Sequence, residues 1–484
     1  RDLGQPPQAQ VERPQRGVAQ LVLQQQVDPP ARLGQPSEVV QLPSNWAARR
    51  QVDHLHRIPQ SAQFRHQGAV IEVPPGALVQ AAVDDQAEDD MAEDDMAEDD
   101  MADDDMADDM GAMPEECAEE NACAVFAPGD TIKIGYAGPT AGDFSAFGTD
   151  ISDAGLLAVA QAEDLEGFSF ELLVEDTGGS GEGGAAVANL FASNPQVVAI
   201  AGHTFSGSTE AAIPIYNEAR LPMLSPSATN PALTGGDQDV FNRIPFTDSI
   251  QGRFIAEYLY NTLEIRAMVA LHDGDTYGEG LATIVQDEFV ALGGEVLDFS
   301  AITPGETDYT APLTAVQALG PEAIFYGGYD AEGAALINGL GIVGLNEVVF
   351  IGADGIFGAT LLEQAGDNAE GVIATAALPP ESEAVDEFNA AFEAEYGRAA
   401  GSLSTFTWHG YDVVSALISA IRDVAVLGDD GNLYIPREAL IDAVRGLSGF
   451  EGLTGTISCN EDGECNTAGP TFFSVQDGAW ATTE

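Results

Sequence analysis

From Thr131 onward the chain alternates short apolar runs with amphipathic stretches, and this rhythm restricts its fold more than any other feature. Ile132 to Ala137, Phe168 to Val174, Val197 to Ala201, Met268 to Leu271, Val296 to Phe299, Ala323 to Tyr326 and Val348 to Ile351 read as strands. Helical patterns occupy about 148–163, 184–193, 207–219, 249–263, 277–292, 310–319 and 330–343. Strand then helix, repeated, predicts an α/β architecture of doubly wound parallel sheets. About 350 residues exceed one such sheet, so two lobes are expected, with a cleft at the carboxyl ends of their strands. Later helices at about 382–396, 402–427 and 436–446 cannot be assigned to a lobe by pattern alone.

The preceding sequence follows other rules. Arg1 to Val83 is rich in Gln and Pro and carries eight of the 17 basic residues, with no sustained period of 2 or 3.6. It is expected to be disordered or not native coding sequence; a mis-set start or reading frame would explain its composition and the missing export signal. No apolar h-region and no 18-residue apolar run is visible. Asp84 to Glu116 holds 18 acidic residues and no basic ones, on a pentad marked by Met91, Met96, Met101 and Met106. Five residues advance a helix by about 500°, so no apolar face forms and residues 84–130 are expected to act as a self-repelling linker.

Charge removes whole classes of partner. With 79 Asp and Glu against 17 Lys and Arg, the formal net charge is −62, which argues against nucleic acid or an anionic membrane as partner. Such a surface fits a salt-rich setting, where screening tolerates self-repulsion. The four cysteines form two C-x5-C pairs, and local pairing, Cys117 with Cys123 and Cys459 with Cys465, is expected in oxidising surroundings. Neither His nor a second Cys pair stands at metal-ligand spacing, so no metal and no cofactor is expected.

The stretch from Gly202 to Pro231 carries the strongest chemical signal. A strand-like run feeds a turn rich in Ser, Thr and Gly before a helical segment, and a second apolar run ends in Ser225-Pro226-Ser227-Ala228-Thr229-Asn230-Pro231. Two helix N-termini facing one crevice would bind a small carboxylate through unpaired N–H groups and hydroxyls, without Arg or Lys. Ordinary βα turns with good capping residues give the same pattern. Gly179 to Gly184 matches G-x-G-x-x-G, but Glu175-Asp176-Thr177 intervene after the strand and no acid follows at the required distance, so NAD or FAD binding is a weak reading. His203 near Ser206 and Ser208 lacks a G-x-S-x-G elbow, and His272-Asp273-Gly274-Asp275 lacks metal spacing.

Six motifs in order, IKIGYAGPTAGDFSAFG, AGHTFSGST, LSPSATNP, HDGDTYGEGLA, FYGGYDAEG and FIGADG, resemble the branched-chain amino-acid (Leu/Ile/Val) binding proteins of bacterial ABC importers. The resemblance covers about Thr131 to Ala479 and implies the type I periplasmic-binding fold, two doubly wound lobes joined by several crossovers. It implies lobe I at about 131–247 and 377–450, and lobe II at about 248–376 and 451–484. It further implies capture of a small amino acid by lobe closure and delivery to a membrane permease, by an extracytoplasmic monomer that is not an enzyme. Carried across by motif, Ser206 and Thr229 match the hydroxyls that bind the ligand carboxylate, with Thr204 and Ser227 supplying backbone groups. Tyr329 and Asp354 match the positions that hold the ammonium; Asp354 stands where leucine binders often carry Glu. Phe147, Phe205 and Tyr277 match the side-chain pocket, although each also suits a plain core or helix-start role. Members of the same class take amides, urea or aromatic acids, and the fold also serves as a ligand-sensing domain.

Overall fold

The computed structural model describes residues 62–66, 69–73, 113–119, 121–236, 238–465 and 469–483. The chain divides into two compact units, Arg1–Asp105 and Met106–Glu484. In the first, Ala62–His66 pairs antiparallel with Ala69–Val73, a regular element where no periodicity was expected. The pentad repeat lies outside the described residues.

The second unit contains two large sheets. One has five strands in the spatial order Ser169–Asp176, Thr131–Gly138, Val197–Gly202, Met223–Ser225 and Phe241–Arg243, all parallel. Every residue of Val197–Gly202 is buried, as expected of a parallel strand covered on both faces. Helices Ser145–Gln161 and Thr407–Val424 pack together on one side, burying Ile151, Val413, Leu417 and Ile421 with Ile132 and Ile134. Helices Gly181–Ala192 and Ser206–Ala219 cover the other, burying Val187, Phe191, Ala212 and Tyr216 with Val197 and Ile200.

The second large sheet has seven strands, ordered Glu295–Ala301, Ala267–His272, Ala323–Gly327, Val349–Ile351, Ile373–Ala376, Thr471–Gln476 and Ala479–Thr482. The first five are parallel, and the last two add antiparallel. That final hairpin turns at Asp477 and Gly478, both with positive φ (52° and 77°), the Asp-Gly signature of a two-residue turn. The chain passes between the sheets near 244–247, returns near 376–378 and leaves again between 465 and 471.

Some expected boundaries shift. The linker was expected to run to residue 130, yet Cys123–Phe126 pairs with Leu433–Pro436, and Ala124 and Phe126 are buried in the first lobe's core. Residues 451–465 were expected in the second lobe but pack in the first: Leu453 lies against Phe388, Phe392 and Trp408, and Ile457 and Cys465 join the core of Ile132 and Val413. The helix expected from 402 starts at Thr407, because the buried Asp150 carboxylate accepts from the N–H groups of Leu403 and Ser404 and holds that turn open. Both disulfides, Cys117–Cys123 and Cys459–Cys465, are local.

Candidate functional site

Loops that follow the carboxyl ends of strands in the two sheets meet across a cleft. On the first lobe, Val197–Gly202 ends in the turn His203-Thr204-Phe205, and helix Ser206–Ala219 begins with no side-chain cap. Its first N–H groups therefore lack a partner within the helix. Ser206 and Thr204 are buried, the Ser206 hydroxyl accepts from Asn230 N (3.4 Å), and Thr204 Oγ1 has no hydrogen-bond partner. The neighbouring loop is tied to this turn: Ser225 Oγ donates to His203 O (2.7 Å) and Ser227 Oγ to Thr204 O (2.7 Å). Thr229 is fully buried with its hydroxyl unpartnered. Asn230 caps Pro231–Leu233 by accepting from Ala232 N (2.8 Å), but this is one 3-10 turn, so the second expected helix N-terminus reduces to a three-residue turn.

The second lobe supplies acids. Asp354 follows strand Val349–Ile351 and is buried; its Oδ1 accepts from Gln251 Nε2 (2.5 Å) and from the Tyr277 hydroxyl (3.2 Å). Burial pushes its carboxyl up to about 6, with those hydrogen bonds pulling the other way. Tyr277, expected in the side-chain pocket, also touches this acid and accepts from Gly355 N (3.2 Å). Burial raises Asp248 well above the carboxylate range, and Asp354 nearby adds to the rise. Neither Asp248 oxygen has a hydrogen-bond partner, although the nearby Thr229 hydroxyl favours its ionised form. Gln251 Oε1 is likewise unpartnered.

Aromatic rings line the same cleft. Phe205 stacks on Tyr329 across the cleft (centroids 4.2 Å, planes 12° apart). Phe147 and Phe144 meet Phe205 edge-on at 5.3 and 5.4 Å, and Tyr277 lies 5.4 Å from Tyr329. The lobes also touch at the rim, where Asn230 Nδ2 donates to Thr276 O (2.5 Å) and Thr276 Oγ1 to Glu210 Oε2 (2.8 Å). Thus Ser206, Thr229, Ser227, Thr204, Phe205, Phe147, Tyr277, Tyr329 and Asp354 converge, while the four cysteines lie elsewhere as structural bridges. Asp248, Gln251 and Phe144 escaped the sequence reading. Phe144 stands inside a quoted motif, and Asp248 with Gln251 follows a strand end, but neither spacing marks a ligand.

The rival signals resolve structurally. His203 Nε2 lies 3.0 Å from the Tyr216 hydroxyl, and Ser208 Oγ donates to Phe205 O (2.9 Å), so no Ser–His pair forms there. A Cβ on Gly184 would meet Ser208 O at 2.5 Å, so this glycine serves close helix packing. Asp275 caps helix Thr276–Leu292 by accepting from Tyr277 N. Among the described residues no cluster could hold a metal ion, and no helix is long and apolar enough to cross a membrane.

Hydroxyls and a helix start on one lobe, carboxylates on the other and aromatic rings in the same cleft suit a small zwitterion with an apolar side chain. The chain is 29% identical over 339 residues to the leucine-, isoleucine-, valine-, threonine-, and alanine-binding protein of Pseudomonas aeruginosa, covering 69% of this chain and 87% of that one. It is 28% identical over 340 residues to the leucine-specific-binding protein of Salmonella typhimurium, covering 69% and 88%. A leucine binding protein from Thermotoga maritima superposes with a TM-score of 0.67 at 26% identity, covering 73% of this chain and 98% of that one. The branched-chain amino acid transporter substrate binding protein of Streptococcus pneumoniae, in complex with isoleucine, gives 0.64 at 26%, covering 72% and 97%. These relatives are solute-binding proteins, not enzymes. Residues 131–479 match the periplasmic binding protein family, to which this chain belongs.

Proposed function

We propose that this chain captures an apolar, branched-chain amino acid outside the cytoplasm by closing its lobes, and delivers it to an ABC importer permease. The observation that carries the reading is the pairing of opposites across the cleft. Unpartnered Thr204 and Thr229 hydroxyls with the uncapped start of helix Ser206–Ala219 lie on one lobe, and Asp354, held by Tyr277 and Gln251, lies on the other. Buried polar atoms without partners are costly, and a zwitterion would satisfy both ends at once. Burying a leucine-sized side chain among Phe147, Phe205 and Tyr329 adds roughly 1.5–3 kcal/mol. The local disulfides fit an oxidising compartment.

The test is a thermal-shift screen of the full chain against the twenty amino acids, short amides, urea, benzoates and NAD, followed by titration calorimetry. A ligand that binds only the native state raises the midpoint. Shifts with leucine, isoleucine or valine support the reading. Shifts confined to amides or aromatic acids keep the binding role and overturn the ligand, and a shift with NAD alone overturns both.

A further inference from the structure

We propose that Arg243, gripped by Glu464 of the disulfide-closed loop Cys459–Cys465, is a positioning residue for the loop that presents Thr229 to the ligand; this rests on the function proposed above. Arg243 ends the fifth strand of the first sheet, and its side chain is fully buried. A buried guanidinium needs compensating partners, since stranding a buried charge is strongly destabilising. Its Nη1 donates to Ala228 O (3.1 Å) and Asn230 O (2.6 Å), the carbonyls on either side of Thr229. Thr229 O itself accepts from Asp248 N (3.0 Å), so three successive carbonyls are pinned. In a trans peptide the C=O and N–H point opposite ways, so holding Ala228 O against Arg243 turns the Thr229 N–H away from the guanidinium.

Arg243 is anchored in turn by a distant part of the chain. Its Nη2 donates to Glu464 Oε1 (2.8 Å) and Thr234 Oγ1 (2.9 Å), and the Thr234 hydroxyl also donates to that Glu464 oxygen (2.7 Å). Backbone bonds lock the strand end to the loop: Arg243 N donates to Gly463 O (2.9 Å) and Cys465 N to Arg243 O (2.9 Å). Within the loop, Asn460 N donates to Glu464 O (3.0 Å) and Glu464 N to Asn460 Oδ1 (3.0 Å). The Cys459–Cys465 bridge closes it, and Arg445 braces it through Glu461 O (2.7 Å) and Asn242 Oδ1 (2.7 Å). The path therefore runs from the bridge through Glu464 and Arg243 to the two peptides around Thr229. It meets the site at Thr229 and, through Thr229 O, at Asp248 N; none of these bonds goes to Asp354, Tyr277 or Gln251.

Glu464→Gln keeps the acceptor and removes the charge. Calorimetry on the oxidised full chain should compare leucine with leucinamide, which lacks the carboxylate. The preference for leucine over leucinamide is expected to fall at least tenfold in the variant, with leucinamide affinity little changed. Glu464→Asp, which retains the charge, should recover part of the preference. Opening the loop with the double variant Cys459→Ser/Cys465→Ser should lower it as Glu464→Gln does. Equal losses for both ligands, or no loss, overturn the proposal. If the unsubstituted chain binds neither compound, the amino-acid reading fails instead, and hydrogen exchange of the ligand-free protein decides the positioning claim. Amides of residues 227–233 should then exchange at least tenfold faster in Glu464→Gln, and unchanged exchange overturns it.

Discussion

Replacing Asp354 by asparagine probes the electrostatics of the cleft directly. Burial raises this carboxyl from its ordinary 3.8 to about 6, against the opposing donors Gln251 and Tyr277. An acid raised on folding contributes stability that is complete below its unfolded value, is lost as pH climbs through the folded value, and changes no further above it. A rise from 3.8 to about 6 corresponds to about 3 kcal/mol, at about 1.4 kcal/mol per pH unit. Asp354→Asn keeps the shape and is neutral throughout. Denaturant unfolding of both ligand-free proteins at fixed salt should therefore show the variant gaining on the parent by about 3 kcal/mol between about pH 3 and pH 7. On the function proposed above, the same change removes the anion that would face the ligand ammonium. Breaking one half of a buried ion pair costs about 3–5 kcal/mol, so leucine affinity at pH 7 should fall a hundredfold or more by calorimetry. In the parent, affinity should decline below about pH 6 as Asp354 protonates. A stability difference that stays flat across the pH range, together with unchanged leucine affinity, would refute the reasoning.

Gly184→Ala should destabilise the protein by about 1–3 kcal/mol in denaturant unfolding, because its Cβ would press on Ser208 backbone, 2.5 Å from the carbonyl oxygen; an unaffected variant would contradict the packing role. Phe205→Ala removes the stack on Tyr329, and a double-mutant cycle of the two on leucine affinity should give a coupling of about 0.5–1.5 kcal/mol, with zero coupling the contrary result. A net charge of −62 predicts that the thermal midpoint climbs as potassium chloride is raised from about 0.1 M to about 2 M; a level or falling midpoint would show that self-repulsion is not limiting stability.

Much of the fold was legible because its signals are local. Parallel strands covered on both faces need continuous apolar runs, so Val197–Gly202 and Ala323–Gly327 announce themselves without knowledge of their neighbours. The hydroxyl-rich part of the candidate site was legible for the same reason, since a strand end, a hydroxyl-rich turn and a helix start are contiguous from Val197 to Ala219. The two C-x5-C bridges close within their own turns. Asp354 and Tyr329 were reached only through resemblance to a family, because an acid or a ring in a turn has no distinctive local pattern.

What depends on distant contacts stayed hidden. Nothing in Phe241-Asn242-Arg243 reveals that Arg243 is fully buried, because its partner Glu464 is more than two hundred residues away. Asp248 and Gln251 look like the polar start of a surface helix, and only packing of that helix against the cleft places them beside Thr229 and Asp354. The lobe boundary expected at about 450 lies near 465, because short strands such as Phe450–Gly452 carry too few residues to show which core they join. Periodicity records which faces each segment buries; against what they are buried, and how the two ends of the cleft come to oppose each other, depended on the tertiary structure, because partner choice is a property of whole surfaces.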